Sequence, residues 1–155
     1  MEPQVITLPL EFTIWGFSLP HDPNRRFGEE IMTLLGRLWP VIKQHQLSND
    51  GLNRVVYDGC AAGSRLFAGL ILDQAGRERA EALSGVGLET KTVRLSRYAS
   101  WKHIGPYHLI PVTGTAMTKV LESRGLRTGW PMVEVYGHWT SDESKLETET
   151  LVELR

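Results

Sequence analysis

The chain has 155 residues, 41% of them apolar and 23% charged, with a formal net charge of -1. That length favours one domain with a substantial core. The charge balance excludes an electrostatic nucleic-acid binder, which would show a clustered basic face, and a single cysteine, Cys60, excludes an internal disulfide or a cysteine zinc site.

Taken in chain order, the first stretch is "VITLPLEFTIWGFSL", which reads as extended. The residues before and within it lack a basic region and include Pro3 and Pro9, so neither a signal peptide nor an anchor is expected. No apolar run approaches the ~18 residues of a membrane span. The lone thiol favours a reducing, cytoplasmic setting. Asp22 and Pro23 then read as cap and first residue of a helix. Phe27, Ile31, Leu34, Leu35, Leu38 and Ile42 follow at helical spacing, and Pro40 is expected to end or kink that helix. "RVVYDGCAAGSRLFAGLIL" (54–72) is a hairpin signal, two apolar strands around a glycine-containing turn. Its glycine-rich loop lacks the Lys-Ser/Thr ending of a phosphate loop. "DQAGRERAEALSGVG" (73–87) is a connector with a helical turn expected around Arg77–Leu83.

The second half repeats the plan. "ETKTVRLSRYASWKHI" is extended and Gly105–Pro106 turns it. Val112, Ala116, Val120 and Leu121 continue at helical spacing, and Gly125 is a plausible C-cap. "VEVYGHWTSDESKLETETLVEL" (133–154) is a second hairpin. Tyr57 aligns with Tyr136 and Leu66 with Leu146. The order is strand, helix, strand, strand, twice over, and such duplication decides the fold class. The expected fold is α+β: one antiparallel sheet with two helices on one face and a ligand cleft at a pseudo-twofold axis. The repeat units span about 5–72 and 88–155 of a single 1–155 domain.

Four motifs in the second half carry a resemblance. They are His103-Ile104-Gly105-Pro106-Tyr107 after an aromatic strand, a helix of about a dozen residues, Pro131-Met132-Val133-Glu134-Val135-Tyr136, and Glu147-Thr148-Glu149 in a last strand. Together they resemble the GyrI-like, AraC/BmrR-type effector-binding domains of the SOUL/SHS2-like superfamily. The resemblance is strong over 88–155 and looser over 5–72. It implies two strand-helix-strand-strand units and a cleft in which a strand glutamate, here Glu134, faces a ligand's positive charge. No cofactor is expected. Many relatives carry a helix-turn-helix DNA reader. Here the two units use nearly the whole chain, so the expectation is a stand-alone binder without direct DNA contact, acting alone, as a homodimer or through a separate regulatory protein.

Strand alternation sorts the candidate site. Val133 and Val135 share one face and are expected under the helices, which puts Glu134 and Tyr136 on the opposite face. By the repeat, Glu134 corresponds to Val55, and Glu147 and Glu149 to Phe67 and Gly69, so an acidic wall would confront an apolar one. That suits an amphipathic or aromatic cation, with rings adding ~0.5–2 kcal/mol per well-placed contact. Tyr98, Trp101, Tyr136 and Trp139 are the second-half ring candidates, and Trp15 and Phe17 the first-half ones. Each of these rings reads equally well as core. His103 is read as fixing the turn before Pro106. The five histidines show no metal spacing, so no metal site is assigned.

Three functions are compatible with this reading. One is a small-molecule binding module serving sequestration or effector sensing. Another is an enzyme, because some relatives resemble hydrolases that open cyclopropane-type electrophiles, a role in which Glu134 would move the proton. The third is a protein-interaction module such as a gyrase inhibitor. Glu147 and Glu149 stand in reserve should Glu134 not be the acid.

Overall fold

The computed structural model describes residues 1–155 as one eight-stranded, fully antiparallel sheet with three α-helices. The elements are β1 (Gln4–Ile6), β2 (Leu10–Pro20), α1 (Phe27–Gln44), β3 (Arg54–Tyr57), β4 (Arg65–Leu70), α2 (Gln74–Glu81), β5 (Glu89–Leu95), β6 (Tyr98–Ile104), α3 (Ile110–Ser123), β7 (Thr128–Tyr136) and β8 (Glu147–Leu154). Strand order across the sheet is β1-β6-β8-β7-β3-β4-β2-β5. The tandem strand-helix-strand-strand duplication is therefore real: β2-α1-β3-β4 and β6-α3-β7-β8. The two hairpins meet at the centre, where β3 pairs with β7.

Each extended stretch that leads a unit is two strands rather than one. Thr7–Pro9 divides the first and Ser96–Arg97 the second. The outer piece of each crosses to the other unit, β1 pairing with β6 and β5 with β2. β6 consequently lies next to one edge strand. These short links also dictate the sheet's shape. Six interstrand steps of ~4.8 Å would separate β1 from β2, or β5 from β6, by ~29 Å in a flat sheet. Three linking residues reach at most ~15 Å and two reach ~11 Å. The sheet must curl until its ends approach.

The curl closes over one core and the helices cover the other two. Ile14, Val56, Phe67, Val93, Leu95, Tyr98, Val133 and Leu151 form the inner cluster, which contains no helix residue. On the other face α1 places Ile31, Leu34, Leu38 and Ile42 on Phe17, Val55, Leu66, Ala68 and Leu70. There α3 places Met117 and Leu121 on Ala99, Trp101, Val152 and Leu154. Val112, expected on the buried stripe of α3, is 65% exposed. Gly16 and Gly69 face each other in the β2–β4 ladder. A Cβ on Gly16 would stand 1.9 Å from the Ala68 carbonyl oxygen, so only glycine admits this approach.

Helix boundaries differ from the sequence reading for local reasons. Asp22 caps a turn instead, its Oδ1 accepting from the Asn24 N–H, and α1 begins at Phe27. Pro40 neither ends nor breaks α1, which continues to Gln44. The ring costs one backbone bond, and Ile42 stays anchored in the core beyond it. Asp73 caps α2 through the Gly76 N–H. Gly125 closes α3 with φ +74, its N–H donating to the Glu122 carbonyl while Leu126 N–H donates to Leu121, the paired bonds of a Schellman turn.

Candidate functional site

The two helices cover the outer parts of the sheet and leave β3 and β7 open between them. Alternation puts Met132, Glu134 and Tyr136 into this opening. Met132 and Tyr136 pack against the helix-side clusters, whereas Val133 and Val135 belong to the inner cluster. The sidedness expected from sequence is thus reversed: the valines fill the curl, and Glu134 lies on the helix face. The physical reason is that the curled sheet buries its helix-free face against itself, so that face is an apolar core without any helix over it.

Glu134 is 6% exposed. The Tyr57 hydroxyl and the Tyr136 hydroxyl both donate to its Oε1, the latter at 2.9 Å. Its Oε2 takes no bond from the protein, and no basic side chain pairs with the carboxylate. Burial raises the carboxyl above its ordinary value, and the two phenol bonds act in the opposite direction. The same burial, with the acid beside them, pushes both phenols well up, so they remain protonated donors.

A cavity of about 280 Å³ opens beside Glu134, between α3 and the β3–β4 loop. Its walls include Phe27, Tyr57, Trp101, Trp130, Met132 and Thr150. Ile110, Pro111 and Gly114 of α3 form one side, and Cys60 lies at its edge. Beyond Tyr136 lies a second cavity of about 490 Å³ under α1, which Trp139 also lines. Tyr107 meets Tyr136 edge to face, with ring centroids 5.4 Å apart.

The sequence-predicted residues divide cleanly. Glu134, Tyr136 and Trp101 converge on the opening, and Trp139 borders the larger cavity. Tyr98 does not: odd β6 positions face the helices, so its ring is in the inner cluster. Phe17 is fully buried under α1, with the Arg37 guanidinium 4.0 Å above its ring, and Trp15 packs against the same core. Neither lines these two cavities. Glu147 and Glu149 share the side of Leu151, opposite the cleft, and Glu147 pairs with Lys102 at 3.4 Å, which removes them as substitutes for Glu134. His103 Nε2 donates to the Pro106 carbonyl at 2.9 Å and Nδ1 meets the Thr113 hydroxyl at 2.7 Å. It fixes the turn at Pro106, as expected, and also ties that turn to α3.

Sequence reasoning missed Tyr57, Phe27, Trp130 and Met132 as cleft residues. Tyr57 had a signal: the duplication equates it with Tyr136, so a symmetric site had to contain both. Also missed was a buried pair behind Phe27. His21 Nδ1 lies 2.5 Å from Glu30 Oε1, both residues are under a tenth exposed, and the His21 ring stacks on Phe27 at 3.9 Å. Phe27 in turn meets Tyr57 edge to face.

Comparison with known proteins fits this geometry. The model of the GyrI-like small molecule binding domain matches residues 1–155, and the chain belongs to that family. Among solved structures, the EcmrR C-terminal domain superposes with a TM-score of 0.69 at 14% identity, covering 100% of this chain and 99% of that one. SAV2435 bound to tetraphenylphosphonium gives 0.67 at 16% identity, covering 100% and 94%. A hydrolase from Listeria innocua gives 0.59 at 14%, covering 99% and 92%. Identities this low speak to the fold alone. A search of the curated proteins finds no match. No helix is long and apolar enough to cross a membrane.

Proposed function

We propose that this GyrI-like chain is a binding domain for amphipathic or aromatic cations, with Glu134 as the counter-charge. One observation carries the reading. Glu134 is a buried acid with no basic partner, and it lines an aromatic cavity. A buried carboxylate left unpaired is costly. Two phenols hold it in place without neutralising it, so a cationic ligand supplies what the fold withholds. Trp101, Tyr57, Phe27 and Trp130 offer π-faces for the same charge. That a structural neighbour is recorded with tetraphenylphosphonium supports this ligand class. The domain, read as two units over about 5–72 and 88–155, would serve cytoplasmic sequestration or effector sensing.

The test is a thermal-shift and calorimetric screen with flat or quaternary cations, matched neutral isosteres and anions of equal size. A ligand at 100 times its dissociation constant adds ~2.7 kcal/mol of stability. Cations are expected to stabilise and anions not. Equal stabilisation by cations and their neutral isosteres would remove Glu134 from the account.

A second reading has its own support. A carboxyl raised by burial and bonded to two phenols is a reasonable proton donor to an electrophile held among rings. Opening of a strained ring in a bound electrophile, followed as ring-opened product, distinguishes a hydrolase from a binder.

A further inference from the structure

The 490 Å³ cavity beyond Tyr136 is chemically unlike the one beside Glu134. Ile31, Leu35 and Trp39 of α1 form one wall, and Tyr107, Tyr136 and Trp139 the other. No carboxylate, lysine or arginine lines it, and His138 is its one basic side chain. Asn53 is already engaged, accepting from the Trp39 indole N–H at 3.0 Å. At its mouth Met32 is 68% and Trp139 75% exposed, apolar area that the chain itself leaves uncovered.

Glu134 lines one cavity and Tyr136 the other, and their side chains are joined by a hydrogen bond. Those residues are two positions apart on one face of β7, a rise of ~7 Å. We propose that the cavities receive the two ends of one ligand: a cationic head beside Glu134, and a flat, uncharged aromatic or aliphatic arm between α1 and Trp139. A spacer of about four to six bonds covers that rise. A second positive charge gains nothing in the arm cavity, because no acid awaits it there. The favoured class is therefore the monocation with an apolar tail rather than the dication. This inference rests on the reading of Glu134 as counter-charge.

The experiment uses three probes: benzyltrimethylammonium as head alone, an aryl-pentyl-trimethylammonium as head plus arm, and the bis-quaternary compound of the same length. Calorimetry gives the affinities. Cys60, the only cysteine and on the wall of the acid cavity, gives a second readout, since an occupied cavity slows its alkylation by iodoacetamide. The arm is expected to tighten binding at least about tenfold over the head alone, as a second tethered contact does. The bis-quaternary probe should lose that gain. In Trp139→Ala and Met32→Ala the ratio of armed to head-only affinity should fall toward one. If the arm adds nothing, or the dication binds as tightly as the armed monocation, the two-ended ligand is overturned. The Glu134 reading survives that result as long as the head alone slows Cys60 alkylation in the parent and not in Glu134→Gln. If no probe slows alkylation, both fall together.

Discussion

Val55 and Glu134 stand opposite each other in the β3–β7 ladder, at the middle of the eight-stranded sheet. They are also the two positions that the internal repeat equates. The pseudo-twofold axis therefore passes between an aliphatic residue and an acid, and the one charge in the cleft marks the place where the two units stop being alike. Several measurable consequences arise from that asymmetry and from the groups around it.

Glu134→Gln should keep the fold and weaken cation binding selectively. Gln is nearly isosteric and can still accept from Tyr57 and Tyr136. Loss of one member of a desolvated charge pair typically costs ~2–5 kcal/mol, shrinking toward ~1 kcal/mol where solvent reaches the pair. Neutral ligands of the same shape should lose little. The ratio of the two affinities, measured by calorimetry, is the readout, and an unchanged ratio contradicts the assignment. A hydrolase would behave differently: Glu134→Gln would abolish turnover while neutral substrate still bound.

Acidification should weaken cation binding earlier than an ordinary carboxylate would. Burial holds Glu134 above its usual value of 4.5, and a cation prefers the ionised form. Affinity should therefore fall as pH drops through the raised value. Tyr57→Phe and Tyr136→Phe each remove a bond that favours ionisation, so each should shift the midpoint to higher pH. Stability of the unliganded protein runs the other way. Between the ordinary and the raised value the folded state binds more protons than the unfolded one, so stability declines as pH rises through that window. In Glu134→Gln this decline should be absent from denaturation curves taken across the window.

Breaking the His21–Glu30 pair should cost far more than its surface counterparts. Both side chains are buried, and Glu30 Oε2 also accepts from the Asp22 N–H at 3.1 Å. Removing one partner of such a pair typically costs ~3–5 kcal/mol, against ~0.2–1 kcal/mol for an exposed pair. Glu30→Ala and the exposed Arg94→Ala, which breaks the Arg94–Glu11 pair, make the comparison by urea denaturation. Similar losses in both would mean that the buried pair contributes no more than its contacts.

Glycines separate into two kinds. Gly16→Ala and Gly69→Ala should each destabilise by about 1–3 kcal/mol or more, because the added carbon meets backbone at 1.9 and 2.5 Å. Gly114→Ala meets nothing within 4 Å and sits inside α3. It should stabilise the fold by ~0.5–1 kcal/mol. Its methyl group narrows the acid cavity, so bulky cations should bind more weakly. Loss of stability in Gly114→Ala would contradict the open space around this position.

The fold was largely legible in the sequence, because duplication and period-two alternation are strong local signals. Tyr57 over Tyr136 pointed to two like units in one antiparallel sheet, but not to β3 and β7 as the strands that meet at its centre. What escaped was long-range. Nothing in "VITLPLEFTIWGFSL" says that Val5 and Phe12 belong to strands in different halves of the sheet, since crossing from one half to the other is decided by curl rather than composition. The same curl reversed the inside and outside of β7. Alternation grouped Glu134 with Tyr136 correctly but carried no information on which group faced the helices. Tyr98 and Phe17 were misplaced for a related reason: a buried ring and a ligand-facing ring look identical in a strand pattern. His21 and Glu30 are nine residues apart across a turn and a helix start, a spacing that carries no motif.

The exchange of β1 and β5 between units makes each half a fragment with a gap. A chain cut within the 82–88 connector would yield an N-terminal piece whose β2 lacks its outer neighbour β5, and a C-terminal piece whose β6 lacks β1. Each piece would keep in solution the strand that the other requires. The nicked protein should accordingly persist as a non-covalent pair, and separately expressed halves should reconstitute the cleft only when mixed. The proposed ligand cavity is lined by residues of both halves, so a ligand bound there would act as an adhesive between the fragments.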